Sequence, residues 1–361
     1  MMKECKEKGE TRETGRRMMV ENPLHRFGHE AMATTFEMVI SGEEHCYARQ
    51  VAMEVFKEID RLDGILSRFN PCSEVSQINR LRPGESVRVG IDVFECLAIA
   101  SRIYSESEGA FDVTVGSLVE IWRDEQGNPQ NPSAEELAVA CSRTGMERLL
   151  LSVQGRGIEG TESSGETAED ENARTGPLEF LVGVAEAPGS AGGVTVDLGG
   201  IGKGYALDRI VTILDDWGIR SALIHGGTST ALAIGSGGRA AGCPEGREGW
   251  PVGVGGVWGS VTGLKTILLK DAALSGSGTE TKGSHILDPR TGGPAQGHPA
   301  AWAVCPTATE ADALSTAFMV MSTDEVREYC ASHANVSAFL PRPSGDGVDL
   351  VGKWENLEKM G

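Results

Sequence analysis

The stretch TVDLGGIGKGYALDR, Thr195 to Arg209, decides how this chain is read. A short apolar strand is predicted to end at Asp197, and the chain then passes Gly199, Gly200, Gly202 and Gly204 into a helix. Four glycines within six positions leave main-chain amides open to close approach by an anionic group such as a phosphate. Lys203 adds a point charge among them. From Tyr205 the spacing of Ile210, Ile213, Leu214 and Trp217 is helical, and Gly218 supplies a C-terminal stop. The glycines match neither GxGxxG at the right offset nor the P-loop pattern, so a turn that binds nothing is the competing reading. SALIHGGTSTALAIG, Ser221 to Gly235, reads as a second apolar strand ending in Gly226 and Gly227. Two strands that each end in glycines can form one anion-accepting rim.

Composition narrows the function classes. At 361 residues the chain can bury a large core as one big domain or as two lobes. A formal net charge of −19 with no basic stripe argues against nucleic acid, while local amides, a lysine and a divalent cation can still hold a phosphate. No apolar run approaches the roughly 20 residues of a membrane span. The start, MMKECKEKGETRETGRRMM, has no apolar export segment, which predicts a cytoplasmic protein; a mis-assigned start is the alternative. The eight cysteines are scattered without CxxC or zinc spacing and read as reduced thiols.

Residues 1–24 read as a disordered tail, 25–345 as the folded domain and 346–361 as a C-terminal tail. ATTFEMVIS, Ala33 to Ser41, alternates like a strand, and the apolar positions between Glu43 and Leu66 repeat at helical spacing. The chain breaks at Asn70 and Pro71 and restarts as a helix with Ser73 as its N-cap; Phe69 sits on the break, where a side chain can face a cleft. Residues 91–106 read as another helix. Asp112 lies inside the apolar run GAFDVTV, as a structural hydrogen-bonding group or as a ligand contact. Residues 155–177, with six acids and little to bury, and 235–249 read as surface excursions. Near the end, Thr307 or Thr309 can cap a helix in which Asp312 and Thr316, at i and i+4, share one face. A carboxylate and a hydroxyl so placed suit a hard cation such as Mg²⁺, though the pair alone is more often ordinary helix surface.

Six motifs in order, MATTF, SRFNPCSEVSQIN, GAFDVTVGSLVEIW, VDLGGIGKGYALDR, SHILDPRTGGP and PTATEADALSTAFMV, resemble the ApbE family of flavin transferases from about Met32 to Leu340. The resemblance implies a two-lobed α+β, T-fold-like architecture with mixed or antiparallel sheets, flanking helices and an FAD cleft between the lobes. It implies Mg²⁺-dependent transfer of FMN from FAD to a Ser or Thr hydroxyl in a flavinylation motif of an acceptor protein, with AMP released. By motif, Met32 and Phe69 would pack on the flavin nucleotide, and Ala110, Phe111 and Asp112 would hold its adenine end. Asp197, Lys203 and Ile286 would complete the FAD contacts; the Gly200 carbonyl, Asp312 and Thr316 would hold the metal. His285 matches the proposed base for the acceptor hydroxyl, a task suited to a neutral imidazole; the plainer reading is a structural histidine fixing its turn with Asp288. His225, beside the rim, reads as structural.

The chain departs from the family in its IHGGTST segment, where a carboxylate is missing and Thr228 or Ser229 is expected to replace it. SGSGTETKGS lacks the aromatic and basic residues often found there, and the export signal of the periplasmic members is absent. An FAD pyrophosphatase releasing FMN and AMP, and a non-catalytic FAD-binding protein, are the alternatives.

Overall fold

In a computed structural model, the described residues are 23–124, 126–157, 175–186, 192–254, 266–279, 286–342, 347–353 and 359–360. Strands β1 (Leu24–Ala31) and β2 (Thr34–Ser41) open the fold, followed by α1 (His45–Leu66), α2 (Glu74–Ile78), β3 (Ser86–Val89), α3 (Ile91–Glu106), α4 (Gly116–Ile121) and α5 (Ala134–Cys141). Next come β4 (Leu149–Gly157), β5 (Thr175–Val184), α6 (Gly202–Asp216), β6 (Ala222–Gly226), β7 (Thr230–Ile234), β8 (Trp250–Gly253) and β9 (Thr266–Leu269). β10 (Ala272–Gly278), β11 (Ala300–Cys305), α7 (Ala308–Val320), α8 (Thr323–Ser332), β12 (Ser337–Pro341), β13 (Val348–Val351) and β14 (Lys359–Met360) complete it.

The main sheet has eight strands in the order β1-β2-β6-β7-β10-β11-β12-β13, and every pairing is antiparallel. Alternation along its strands sorts side chains to two cores. Phe36, Met38 and Ile40 of β2, with Ala301, Ala303 and Cys305 of β11, join the core that contains α1, α6 and α7. Val39, Leu274 and Val304 face the other way, onto Trp250, Val252, Ile267 and Leu269. Those last four belong to the three-stranded sheet β14-β9-β8. A third sheet, β3-β5-β4, lies beside the helical layer, with Val89 and Val182 in its core. The result is α+β, as expected. Among the described residues no helix is long and apolar enough to cross a membrane, and the cysteines there are free.

Each helix follows from its sequence. α1 buries Val51, Val55, Ile59, Leu62 and Leu66 along one stripe. Ser73 caps α2, its hydroxyl accepting from the Ser76 amide at 2.9 Å. Of the two candidate caps for α7, the cap is Thr307, whose hydroxyl accepts from the Glu310 amide at 3.3 Å. Gly218, at φ +69°, closes α6.

Four expectations are corrected. Thr195 to Asp197 is not a strand: Thr195 makes one parallel bridge to Val115, the Asp197 amide donates to the Val113 carbonyl, and Asn79 takes the Val196 amide. A loop and a side chain satisfy that backbone, so no sheet neighbour is needed. The second apolar run, Ser221 to Gly235, is a hairpin, because Gly226 and Gly227, the latter at φ +68°, turn the chain back on itself. The end of the N-terminal tail overlaps β1, which begins at Leu24, while residues 1–22 lie outside the described residues. Val348–Val351, placed in the C-terminal tail, is the edge strand paired with β12. Residues 158–174, most of the first excursion, also lie outside the described residues. Within 235–249 the Ser236 hydroxyl closes the loop, donating to the Gly249 carbonyl at 3.1 Å and accepting from its amide at 2.8 Å.

Candidate active site

The glycine turn works by letting two helices meet. A Cβ on Gly204 would stand 2.2 Å from the Ala308 carbonyl oxygen and 2.8 Å from the Asp312 Cβ, so only glycine lets the first turn of α6 lie against α7. A Cβ on Gly200 would stand 3.2 Å from Thr316 Oγ1 and 3.4 Å from Phe111 Cε2. The glycine turn, the first three turns of α7 and the segment after α3 therefore share one location. Asp208, one turn further along α6, fixes the geometry: its carboxylate accepts from the Ala308 and Thr309 amides at 2.8 Å each and from the Thr309 hydroxyl. It caps α7 from a neighbouring helix, and burial raises its pKa.

Asp312 is the centre, only 3% exposed. Its carboxylate accepts from the Gly204 amide at 3.1 Å, from Thr230 Oγ1 at 3.1 Å and from Ser275 Oγ at 3.3 Å. Lys203 Nζ lies 3.3 Å from each carboxylate oxygen and 3.3 Å from the Gly199 carbonyl. Hydroxyls extend the cluster: Ser277 Oγ stands 2.9 Å from Ser315 Oγ and 3.3 Å from Thr316 Oγ1. Carboxylate, hydroxyls and the facing Gly200 turn form an all-oxygen donor set, which fits a hard cation such as Mg²⁺. The anion-rim reading narrows, because Asp197 takes the Gly199 amide at 2.8 Å and Asp312 takes that of Gly204. The Gly202 amide donates to the Leu198 carbonyl at 2.7 Å, so three of the four glycines serve internal bonds rather than leaving free donors.

Around this centre the other predicted residues fall at different distances. Phe69 is 82% exposed, with the Arg68 guanidinium 4.9 Å from its ring centre. Arg68 Nε in turn lies 3.3 Å from Asp197 Oδ2, which ties the exposed ring to the start of the glycine turn. Met32 and Ala33 close the β1-β2 hairpin at φ 48° and 56°, where Asn-Gly is the usual choice. The Met32 amide donates to Asp63 Oδ2 at 2.9 Å, which holds this strained turn, and the Thr35 carbonyl accepts from Gly227 beside it. Gly226 in turn backs onto the Lys203 stem, a Cβ there lying 3.7 Å from Lys203 Cβ.

Ala110 and Phe111 are buried, and Asp112 is 5% exposed. Asp112 Oδ1 accepts from the Thr114 amide and hydroxyl, both at 2.7 Å, while Oδ2 has no partner among the described residues. Burial outweighs those bonds and pushes its pKa to about 6. Ile286 packs half-buried on the main core, its carbonyl accepting from Ala295. Its turn comes near residues 110–112, since Arg290 Cγ lies 3.7 Å from where a Gly109 Cβ would be. Asp288, the suggested partner of the histidine, is held by Arg290 Nε at 3.1 Å. His285 lies outside the described residues.

Several site residues were missed in the sequence. The hydroxyl expected from Thr228 or Ser229 comes instead from Thr230, the first residue of β7, whose side chain points to the helical side of the sheet. Ser275 and Ser277 on β10 share one face two residues apart, a polar pair on the side of a strand that packs on α7. That alternation was the available signal. Arg68 carried none.

Residues 32–340 match the sequence model of the ApbE family. The FAD:protein FMN transferase of Klebsiella pneumoniae is 24% identical over 315 residues, covering 82% of this chain and 78% of its own length. That of Haemophilus influenzae is 27% identical over 293 residues, covering 77% and 71%. Among solved structures, the apo flavinyl transferase ApbE of Pseudomonas stutzeri superimposes with a TM-score of 0.68 at 24% identity, over 92% of this chain and 96% of the other. The ApbE protein of Thermotoga maritima gives 0.69 at 27% identity, over 91% and 97%.

Proposed function

The chain belongs to the ApbE family, and from that membership we propose that it transfers FMN from FAD to a Ser or Thr hydroxyl of an acceptor protein, releasing AMP. The relatives named FAD:protein FMN transferase support the transfer itself. The observation that carries the assignment to a site is the convergence of Gly204, Lys203, Thr230 and Ser275 on the buried Asp312 carboxylate, with Gly200 facing Thr316.

In the reaction a bond forms between the acceptor oxygen and the flavin-side phosphorus, the bond from that phosphorus to the bridging oxygen breaks, and AMP leaves with the electron pair. Mg²⁺, held by the Gly200 carbonyl, Asp312 and Thr316, would neutralise diphosphate charge. Lys203 would add a second positive charge beside the leaving phosphate. Phe69, exposed on its turn and backed by Arg68, would stack on the flavin nucleotide beside Met32. Phe111 and Ala110 would wall the adenine end, with the unpartnered Asp112 Oδ2 free to bond a base edge. Ile286 and Asp197 would complete the pocket, and His285 would take the acceptor proton. The acceptor would present that hydroxyl within a flavinylation motif, and a cytoplasmic location is part of the same proposal.

Incubation with FAD, Mg²⁺ and a candidate acceptor should give a fluorescent flavin band that survives denaturation. Asp312→Ala, or a chelator, should abolish the band. Free FMN without a band would indicate a pyrophosphatase, and intact bound FAD a non-catalytic flavin protein. Full transfer by Asp312→Ala would remove the metal assignment.

A further inference from the structure

The Asp312 carboxylate is fully subscribed. Oδ1 accepts from Thr230, Ser275 and Lys203, and Oδ2 accepts from the Gly204 amide and Lys203. A carboxylate offers about four lone-pair directions, so a cation that takes Asp312 as a ligand must replace one of these donors. The partners differ in how easily they leave. The Gly204 amide is fixed in the first turn of α6, where even a Cβ has no room. Thr230 and Ser275 are short side chains, 1% and 0% exposed, anchored on neighbouring strands and bonded to each other at 3.0 Å. Lys203 alone is long and flexible, with its side chain 21% exposed, and among the described residues it is the one positive charge against the carboxylate. It is also the partner that a divalent cation repels.

We propose that Lys203 is the resident counter-ion of Asp312 in the cation-free enzyme, and that the arriving divalent cation displaces its ammonium onto the diphosphate of the substrate. The inference rests on the transferase reading. A positive partner stabilises the charged form of a carboxylate buried to this degree when the cation is away, and Lys203 stands 3.3 Å from both oxygens. Its stem leaves the backbone among the glycines of the turn, beside Gly226, so the released ammonium stays close to the glycine turn and Asp312. Metal loading and readiness to neutralise phosphate thereby become one event. The cost is competition: the lysine weakens the site's own affinity for the cation.

Amine acylation of the wild-type protein, read by peptide mass spectrometry, tests this without turnover. Lys203 should react slowly in chelator, several-fold faster with Mg²⁺ alone, and slowly again when ADP is added with Mg²⁺. Lys57 and Lys270, exposed at 65% and 48% on the outer surface, are the internal references. In parallel, Lys203→Met should bind Mn²⁺ more tightly than wild type, by about tenfold, the size of an ordinary coupling between two sites. Unchanged or slower acylation with Mg²⁺ would overturn the proposal even if Lys203→Met failed to fold, as would equal or weaker Mn²⁺ binding by a folded variant. Either result with FMN transfer intact removes the Lys203 exchange alone. Loss of both cation binding and transfer in the wild type removes the transferase reading as well.

Discussion

Asp112 shows how one side chain can be held out of its ordinary chemistry. It lies in an apolar run because Phe111 and Val113 flank it in the core, and only Oδ1 is satisfied, by Thr114. Its pKa rises from the ordinary 3.8 to about 6 through burial. The protonated form is therefore favoured in the folded state, and the stability it brings is complete below 3.8 and lost as pH rises through about 6. The shift is worth about 3 kcal/mol, at about 1.4 kcal/mol per pH unit. Asp112→Asn, which resembles the neutral acid, should lack that loss. Urea unfolding of both proteins between pH 4 and 7.5 should show wild type falling behind the variant as pH rises. Parallel curves would mean that Oδ2 has a partner in solution.

The α6-α7 pair is the element that turns separate motifs into a site. α7 is buried on nearly all sides, and its N-terminus is capped by Asp208 from α6. Its Asp312 accepts the Gly204 amide from the same helix. The close approach depends on a missing Cβ. Gly204→Ala would drive a methyl into the Ala308 carbonyl at 2.2 Å, backbone that cannot rotate away. Separating the helices should cost about 2–3 kcal/mol, the scale of overpacking in a dense core. Transfer activity should fall further than stability, because Asp312 moves with α7. Denaturation midpoints and FMN transfer on the same preparation check both parts. A stable, active Gly204→Ala would show that the helices part without consequence.

At the scale of the whole molecule, the eight-stranded sheet carries helices and the site on one face and a small sheet on the other. The acidic stretch enters this plan at one point. β4 and β5 pair from Leu149 with Val184 to Gly157 with Thr175, so residues 158–174 join two strand ends that already lie side by side. Replacing 158–174 by a two-residue Asn-Gly turn should leave transfer unchanged and move the melting temperature by no more than a few degrees, about 1 kcal/mol or less. A large loss of activity would assign the stretch to acceptor recognition.

Local pattern determined much of this protein. The spacing between Tyr47 and Leu66 specified α1, Ser73 and Thr307 marked helix starts, and Gly218 marked an end, because caps and periodicity act between near neighbours. Six motifs in order along the chain carry the likeness to the family. Contacts at long range were a different matter. That Thr230 rather than Thr228 or Ser229 reaches Asp312, that Thr195 to Asp197 pairs with a loop, and that Val348–Val351 completes the sheet depend on partners far away in the chain. Asp312 and Lys203 are 109 residues apart, and no periodicity encodes their meeting. Folding alone brings the charges together, since a buried carboxylate takes whichever donors the packed helices and strands place around it.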